Sequence, residues 1–225
     1  MAIIRTEKLE KIYQDNGVPV HALKGIDLSI DKGEYTVIAG PSGSGKTTLL
    51  NVLGALDNPT KGKVFFEDAD LSGKKKSELS DFRLKKLGFI FQAYNLIPVL
   101  TALENIEFSM MLLGKSDSER HQKSMALMEE LDIAELANKR PNEMSGGQQQ
   151  RVAVARAIVN NPEIVLADEP TANLDTKTGS NLLDLMEKMN AEKNITFIFS
   201  SHDQQVISRA KRLLILKDGL IEKDS

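Results

Sequence analysis

The sequence predicts an α/β fold built on a central, mainly parallel sheet, with an N-terminal antiparallel β region and an inserted helical subdomain. Three observations predict it. Apolar-rich runs at residues 35–39 and 164–167 suit strands buried on both faces, as parallel sheets require. Short β-prone runs at 3–9 and 26–30, closed by the turn Asp31-Lys32-Gly33, suit an antiparallel start. From 93 to 161 the pattern changes to longer helical periodicities with few strand signals.

Taken in order, the first two runs are short strands with Tyr13 in the loop segment between them. An aromatic there serves either as a stacking face for a nucleotide base or as a partly buried structural residue. The strand at 35–39 leads into Gly40-Pro41-Ser42-Gly43-Ser44-Gly45-Lys46-Thr47, and Thr48-Leu49-Leu50-Asn51-Val52-Leu53 then reads as a helix. Lys63-Val64-Phe65-Phe66 and Leu87-Gly88-Phe89-Ile90-Phe91 are further strands, and the second ends on Gln92. Lys74-Lys75-Lys76 between them reads as a solvated loop. In the helical part, residues 101–106 and 119–136 carry apolar side chains at helical spacing, and Met110, Met111, Met125 and Met128 read as core filling. The run at 164–167 delivers Asp168-Glu169-Pro170, and Pro170 should hold Glu169 extended. Leu182, Met186 and Met189 mark the buried face of the next helix. A strand at 195–199 ends in Ser200-Ser201-His202-Asp203. Residues 213–216 and 220–221 close the sheet through the hairpin-type turn Lys217-Asp218-Gly219.

With 225 residues the chain forms one domain, divided into an α/β core at 1–92 and 162–225 and a helical subdomain at 93–161. A net charge of −3 gives no reason to expect nucleic acid or an anionic membrane as the main partner. The absence of cysteine excludes disulfides and thiolate metal sites and fits a reducing compartment. No apolar run approaches the ~18 to 20 residues that span a bilayer, and the first residues lack a signal-peptide pattern. The expectation is a soluble protein whose membrane contact comes through another chain.

The glycine-rich run matches G-x-x-x-x-G-K-[ST] between a strand and a helix. Gly40, Gly43 and Gly45 let backbone N–H groups close on phosphate oxygens; Pro41, Ser42, Ser44 and Thr48 complete the nucleotide-contacting loop. Lys46 supplies an ammonium between the terminal phosphates, and Thr47 offers a hard oxygen to Mg²⁺. Asp168, after four apolar residues, is the pattern in which a carboxylate holds that ion. Glu169 beside it can orient and deprotonate an attacking water. Gln92 ends its strand where ligands of α/β sheets gather, and serves a bound ion or water unless it only terminates the strand. His202, after a buried strand, is either an ordinary histidine or a donor to the γ-phosphate. Ser145-Gly146-Gly147-Gln148 opens a helix in the helical subdomain, as a second anion site or as a plain cap.

Together the phosphate loop, Gln92, Ser145-Gly146-Gly147-Gln148, Asp168-Glu169-Pro170, Asn173-Leu174-Asp175 and His202 occur in an order that resembles ABC transporter ATPases over essentially the whole chain. Phe89-Ile90-Phe91-Gln92, Asn95-Leu96-Ile97-Pro98, Thr101-Ala102-Leu103-Glu104-Asn105 and Gly146-Gly147-Gln148-Gln149-Gln150-Arg151 look most like the bacterial branch of macrolide export, lipoprotein release and the cell-division ATPase. The resemblance implies a P-loop NTPase fold and two subunits closing head to tail around two ATP molecules. Each phosphate loop then faces the other subunit's Ser145 and Gly147. It implies that Tyr13 stacks on adenine, that Thr47, Gln92 and Asp168 attend Mg²⁺, and that Glu169 is the catalytic base. His202 would contact the γ-phosphate and Asp175 would link the two sites. A membrane permease docked on the helical subdomain would receive the nucleotide state through Gln92, holding the subunit at the cytoplasmic face of the membrane. Met144, Ala172 and Ser201 depart from the usual leucine, glycine and threonine without removing a functional group.

The resulting expectation is an ATP-hydrolysing energy subunit that drives export or lipoprotein extrusion. The alternative is an ATP-driven regulatory module that signals through a membrane protein without transport. A soluble relative acting on DNA or ribosomes is disfavoured by the lack of a tandem cassette or long coiled-coil insertion. A GTPase is disfavoured because Asn138-Lys139-Arg140 is followed by Pro141, not by the aspartate of Asn-Lys-x-Asp.

Overall fold

The computed structural model describes every residue except Met1 and Asn16. The chain opens with β1 (Ala2–Asp15), β2 (Val18–Asp31), β3 (Tyr35–Ala39) and α1 (Lys46–Leu53). Next come β4 (Lys61–Phe66), β5 (Ala69–Asp70), α2 (Lys76–Lys86) and β6 (Leu87–Ile90). A helical stretch holds α3 (Ala102–Leu112), α4 (Asp117–Glu130) and α5 (Gly146–Ile158), with 3-10 turns at Ala134–Leu136 and Pro141–Glu143. The last part holds β7 (Ile164–Asp168), α6 (Thr176–Lys193), β8 (Thr196–Ser201), α7 (Gln204–Ile207), β9 (Arg212–Lys217) and β10 (Leu220–Asp224).

Two sheets result. The antiparallel one runs β2-β1-β4-β5; the central one runs β10-β9-β3-β8-β7-β6, parallel throughout except for the β10 edge. Alternation along each central strand decides what it packs against. Val37, Ala39, Val165, Ala167, Phe197 and Phe199 join the core shared with α3 to α6, while Ile38, Ile164, Leu166 and Ile198 join the core shared with α1 and the antiparallel sheet. The sheet is therefore buried on both faces, and functional side chains must emerge at its strand ends.

Several expectations require correction. The first two strands each run for fourteen residues, so Tyr13 lies in β1, paired with Val20, and not in a loop. β2 passes through Pro19 and Gly25 because it is an edge strand, which tolerates proline, and because Gly25 (φ 83) falls where the register shifts. Lys76 begins α2, with Lys75 as its N-cap; Leu79 is the only buried residue of this helix, which leaves little apolar periodicity to read. The 119–136 stretch is not one helix: α4 ends at Glu130, Asp132 takes φ 57, and Ile133 and Leu136 reach the core through a 3-10 turn. Met110 and Met128 fill the core, but Met111 is 47% exposed because it falls on the outer face of α3. Ser200 and Ser201 belong to β8 itself.

Glu169 is not extended. Its φ is 46, while its N–H donates to Ser200 O at 2.8 Å and its carbonyl accepts from Ala172 N at 3.2 Å. Pro170 disfavours the right-handed helical region, and the two hydrogen bonds turn the chain into the left-handed one instead. Such backbone costs on the order of 1 kcal/mol and is concentrated at functional sites.

Candidate functional site

β3, β8, β7 and β6 are parallel neighbours, so the segments after their carboxyl ends share one edge of the sheet. That edge forms a cleft of about 640 Å³. Its walls include Tyr13, Pro41, Ser42, Gly43, Gly45, Lys46, Thr47, Thr48, Gln92, Glu169 and His202. Val20, His21 and Ala22 of β2 complete one side, and the sequence reading missed them. The β-prone run Val18-Pro19-Val20-His21-Ala22 was the available signal, hidden by its proline.

The glycine loop is shaped by close backbone approach. A Cβ on Gly40 would lie 2.0 Å from Leu216 O. One on Gly45 would lie 2.5 Å from Ala22 O, and Gly45 also has φ 104, a conformation closed to L side chains. Gly45 is the N-cap of α1, which has neither a side-chain cap nor an acidic residue in its first turn. Its leading N–H groups are thus left for an anion. Lys46 is 8% exposed and donates to Gly40 O at 2.8 Å and Pro41 O at 3.1 Å. Buried Ser44 Oγ has no partner, an orphan that a phosphate oxygen would satisfy.

Thr47 Oγ1 donates to Asp168 Oδ1 at 3.2 Å, across the width of β8. Among the described residues no group of three or more His, Cys, Asp or Glu could hold a metal. A hydroxyl, one carboxylate and an amide are a hard-oxygen set that fits Mg²⁺, an ion that takes its remaining ligands from phosphates and water. Glu169 is bound at both oxygens: Ser201 Oγ donates to Oε2 at 2.9 Å, and His202 Nδ1 lies 2.6 Å from Oε1.

Tyr13 is fixed from behind. Its Oη donates to Asp57 Oδ2 at 2.8 Å, and Lys11 Nζ donates to Asp57 Oδ1 at 2.6 Å while sitting 4.9 Å from the ring centroid. Burial and the bond to Asp57 push the Tyr13 phenol up. Burial works against the Asp57 carboxylate, but bonds from Lys11 and Tyr13 outweigh it and hold that carboxyl below its usual range. The phenol stays neutral and its ring borders the cleft.

Ser145, Gly146, Gly147, Gln148 and Asp175 do not line the cleft. Ser145 caps α5: its Oγ accepts from Gln148 N at 3.3 Å and Gln148 Oε1 accepts from Ser145 N at 2.9 Å, so the plain-cap role is real in the single chain. Asp175 caps α6 through Lys177 N and Thr178 N, and bonds from Thr178 hold its carboxyl low. The two caps are neighbours, since a Cβ on Gly147 would lie 2.5 Å from Thr178 Cγ2. One chain therefore carries a phosphate-type loop in a cleft and, apart from it, a second helix N-terminus beside Asp175.

Comparison with known proteins gives consistent results. A family model described as ABC transporter matches residues 23–172. The lipoprotein-releasing system ATP-binding protein LolD of Idiomarina loihiensis is 41% identical over 223 residues, covering 99% of this chain and 98% of its own. The macrolide export ATP-binding/permease protein MacB of Campylobacter jejuni is 44% identical over 203 residues, which are 90% of this chain and 32% of that longer protein. The cassette MJ0796 of Methanocaldococcus jannaschii, solved as a dimer, superposes with a TM-score of 0.93 at 42% identity, covering 99% of this chain and 97% of its own. A second MJ0796 structure, a post-hydrolysis state bound to ADP and Pi, gives 0.92 at 41% identity with the same coverage.

Proposed function

The chain belongs to the ABC transporter family, and from that membership we propose that it binds and hydrolyses ATP as the energy subunit of a membrane complex, closing head to tail on a second copy around two ATP molecules. The observation that carries this reading is the division of the site. The cleft holds a phosphate-type loop, the ring of Tyr13 and the Glu169 carboxylate, while a second helix N-terminus, capped by Ser145 and Gln148, lies outside that cleft in its own chain. A second subunit's ATP is the ligand that fits it.

In this reading Tyr13 stacks on adenine, the N–H groups of residues 40–48 and the Lys46 ammonium hold the phosphates, and Thr47, Gln92 and Asp168 hold Mg²⁺. The ion, when bound, offsets phosphate charge in the transition state. Glu169 orients and deprotonates the attacking water, a role worth about 10²- to 10⁴-fold in rate. His202, 72% exposed at its side chain, swings to the γ-phosphate and releases Glu169 Oε1. Ser145, Gly146, Gly147 and Gln148 close on the partner subunit's nucleotide, and Asp175 meets the opposite subunit.

No helix among the described residues is long and apolar enough to cross a membrane. A groove of about 400 Å³ between the α/β core and residues 93–161, lined by Leu56, Leu84, Phe89, Phe91, Ser109 and Arg156, fits a segment of an integral membrane permease. Phe108, Met111 and Leu112 of α3 add exposed apolar surface. The groove can sense nucleotide because Gln92 O accepts from Asn173 Nδ2 at 2.8 Å and Arg156 donates to the carbonyls of Tyr94 and Asn95. The permease holds the subunit at the cytoplasmic face of the membrane, and export or lipoprotein release is the work performed. The test is capture of tagged Glu169→Gln protein with ATP and Mg²⁺ from detergent-solubilised membranes. A multispanning partner is expected; recovery of only ribosomal or nucleic-acid partners would overturn the transporter role.

A further inference from the structure

We propose that Ser201 is a positioning residue that fixes one oxygen of Glu169 and leaves the other to meet the attacking water. The proposal rests on the reading of Glu169 as the general base. Ser201 is fully buried at the end of β8, in register with Ala39 of β3, so the central sheet fixes its backbone. Its Oγ accepts from Asp203 N at 3.1 Å, which leaves the single hydroxyl proton for Glu169 Oε2, 2.9 Å away. Asp203 is itself tied down: its Oδ2 accepts from Thr171 Oγ1 and its Oδ1 from Gln205 N, both at 2.9 Å. Thr171 stands two residues after Glu169 and is 4% exposed. The segments after β7 and β8 are thus joined by Ser201 to Glu169 at one end and by Asp203 to Thr171 at the other.

The two partners of Glu169 differ in freedom. His202 is mostly exposed at its side chain and can rotate away from Oε1, whereas Ser201 has nowhere to go. When His202 leaves, Oε1 is free and Oε2 stays anchored, so the carboxylate turns one defined lone-pair face to the cleft instead of sampling rotamers. Preorganisation of that kind acts on the chemical step and not on nucleotide binding.

The experiment measures single-turnover ATP hydrolysis, KM and thermal melting for the full chain and for Ser201→Ala and Ser201→Thr, alone and combined with Glu169→Gln. Ser201→Ala is expected to lower kcat about tenfold with KM unchanged, the size of one lost hydrogen bond to a carboxylate, and to lower the melting temperature as well, because Asp203 N loses its acceptor. Ser201→Thr keeps the hydroxyl and is expected within about threefold of the unmodified protein. In the Glu169→Gln background Ser201→Ala should cost nothing further; this cycle carries the test if the extra methyl of threonine does not fit. An equal loss in both backgrounds overturns the proposal. So does full activity of Ser201→Ala where Glu169→Gln is slow, which leaves the general-base reading standing. If Glu169→Gln itself turns over normally, that reading falls and the positioning role with it.

Discussion

Asn105→Ala should destabilise the helical part of the protein far more than a single polar truncation on a helix surface. Asn105 is fully buried on α3 and organises the turn before it: Oδ1 accepts from Ile97 N at 2.7 Å, and Nδ2 approaches the carbonyls of Ile97 and Leu100 at 3.2 Å and Thr101 at 2.8 Å. An amide has two such protons, so the three carbonyls share them. Two of these carbonyls have other donors, since Ile97 O also accepts from Leu100 N and Thr101 O from Asn105 N. Truncation therefore strips Ile97 N and Leu100 O. At about 1 to 3 kcal/mol for each unsatisfied group, the loss is about 2 to 6 kcal/mol. For a domain of this size about 3 kcal/mol lowers Tm by about 6 to 12 °C. Circular dichroism melting and urea titration would read it. Asn105→Asp should be no better, because it keeps the acceptor for Ile97 N but sets a carboxylate against the carbonyls. A loss under about 0.5 kcal/mol in Asn105→Ala would refute the claim that this side chain holds the turn.

Other consequences follow from the cleft and its supports. Lys46→Ala removes a charged donor and should weaken ATP binding about 10- to 100-fold, read by nucleotide fluorescence titration. Tyr13→Ala removes the ring that borders the cleft and should weaken ATP about tenfold, whereas Tyr13→Phe, which keeps the ring and gives up the hydroxyl's bonds with Asp57 and Thr48, should stay within about threefold in the same titration. The Glu163 carboxyl is held low, first by its bond with Lys86 and further by Lys32. Its stabilising contribution is therefore complete above the unfolded value of about 4.3 and is lost as pH falls through the lower folded value. Urea midpoints measured from pH 7 to 3 should show Glu163→Gln weaker at neutral pH and less sensitive to acid.

The parallel core was legible because buried strands such as Ile164-Val165-Leu166-Ala167 carry nothing but apolar residues and end abruptly in charge. The phosphate loop was legible because its glycines answer backbone contacts, such as Gly40 against Leu216 O, that no other residue allows. What stayed hidden depended on partners remote in sequence. β2 runs through Pro19 only because it is an edge strand, so the wall made by Val20, His21 and Ala22 was unreadable from local pattern. The backbone of Glu169 was misjudged because its conformation is decided by Ser200 O on the neighbouring strand as well as by Pro170. Met111 has the spacing of its neighbours, and only the packing of α3 shows that it faces outward.

The central claim is that two copies are needed to complete each ATP site, and light scattering tests it most directly. Glu169→Gln protein is measured without nucleotide and with saturating ATP and Mg²⁺, with bound ATP quantified in the same sample. The account predicts a shift from the 24.8 kDa chain to a particle of twice that mass holding one ATP per chain. A particle that binds ATP fully yet remains at 24.8 kDa would contradict it.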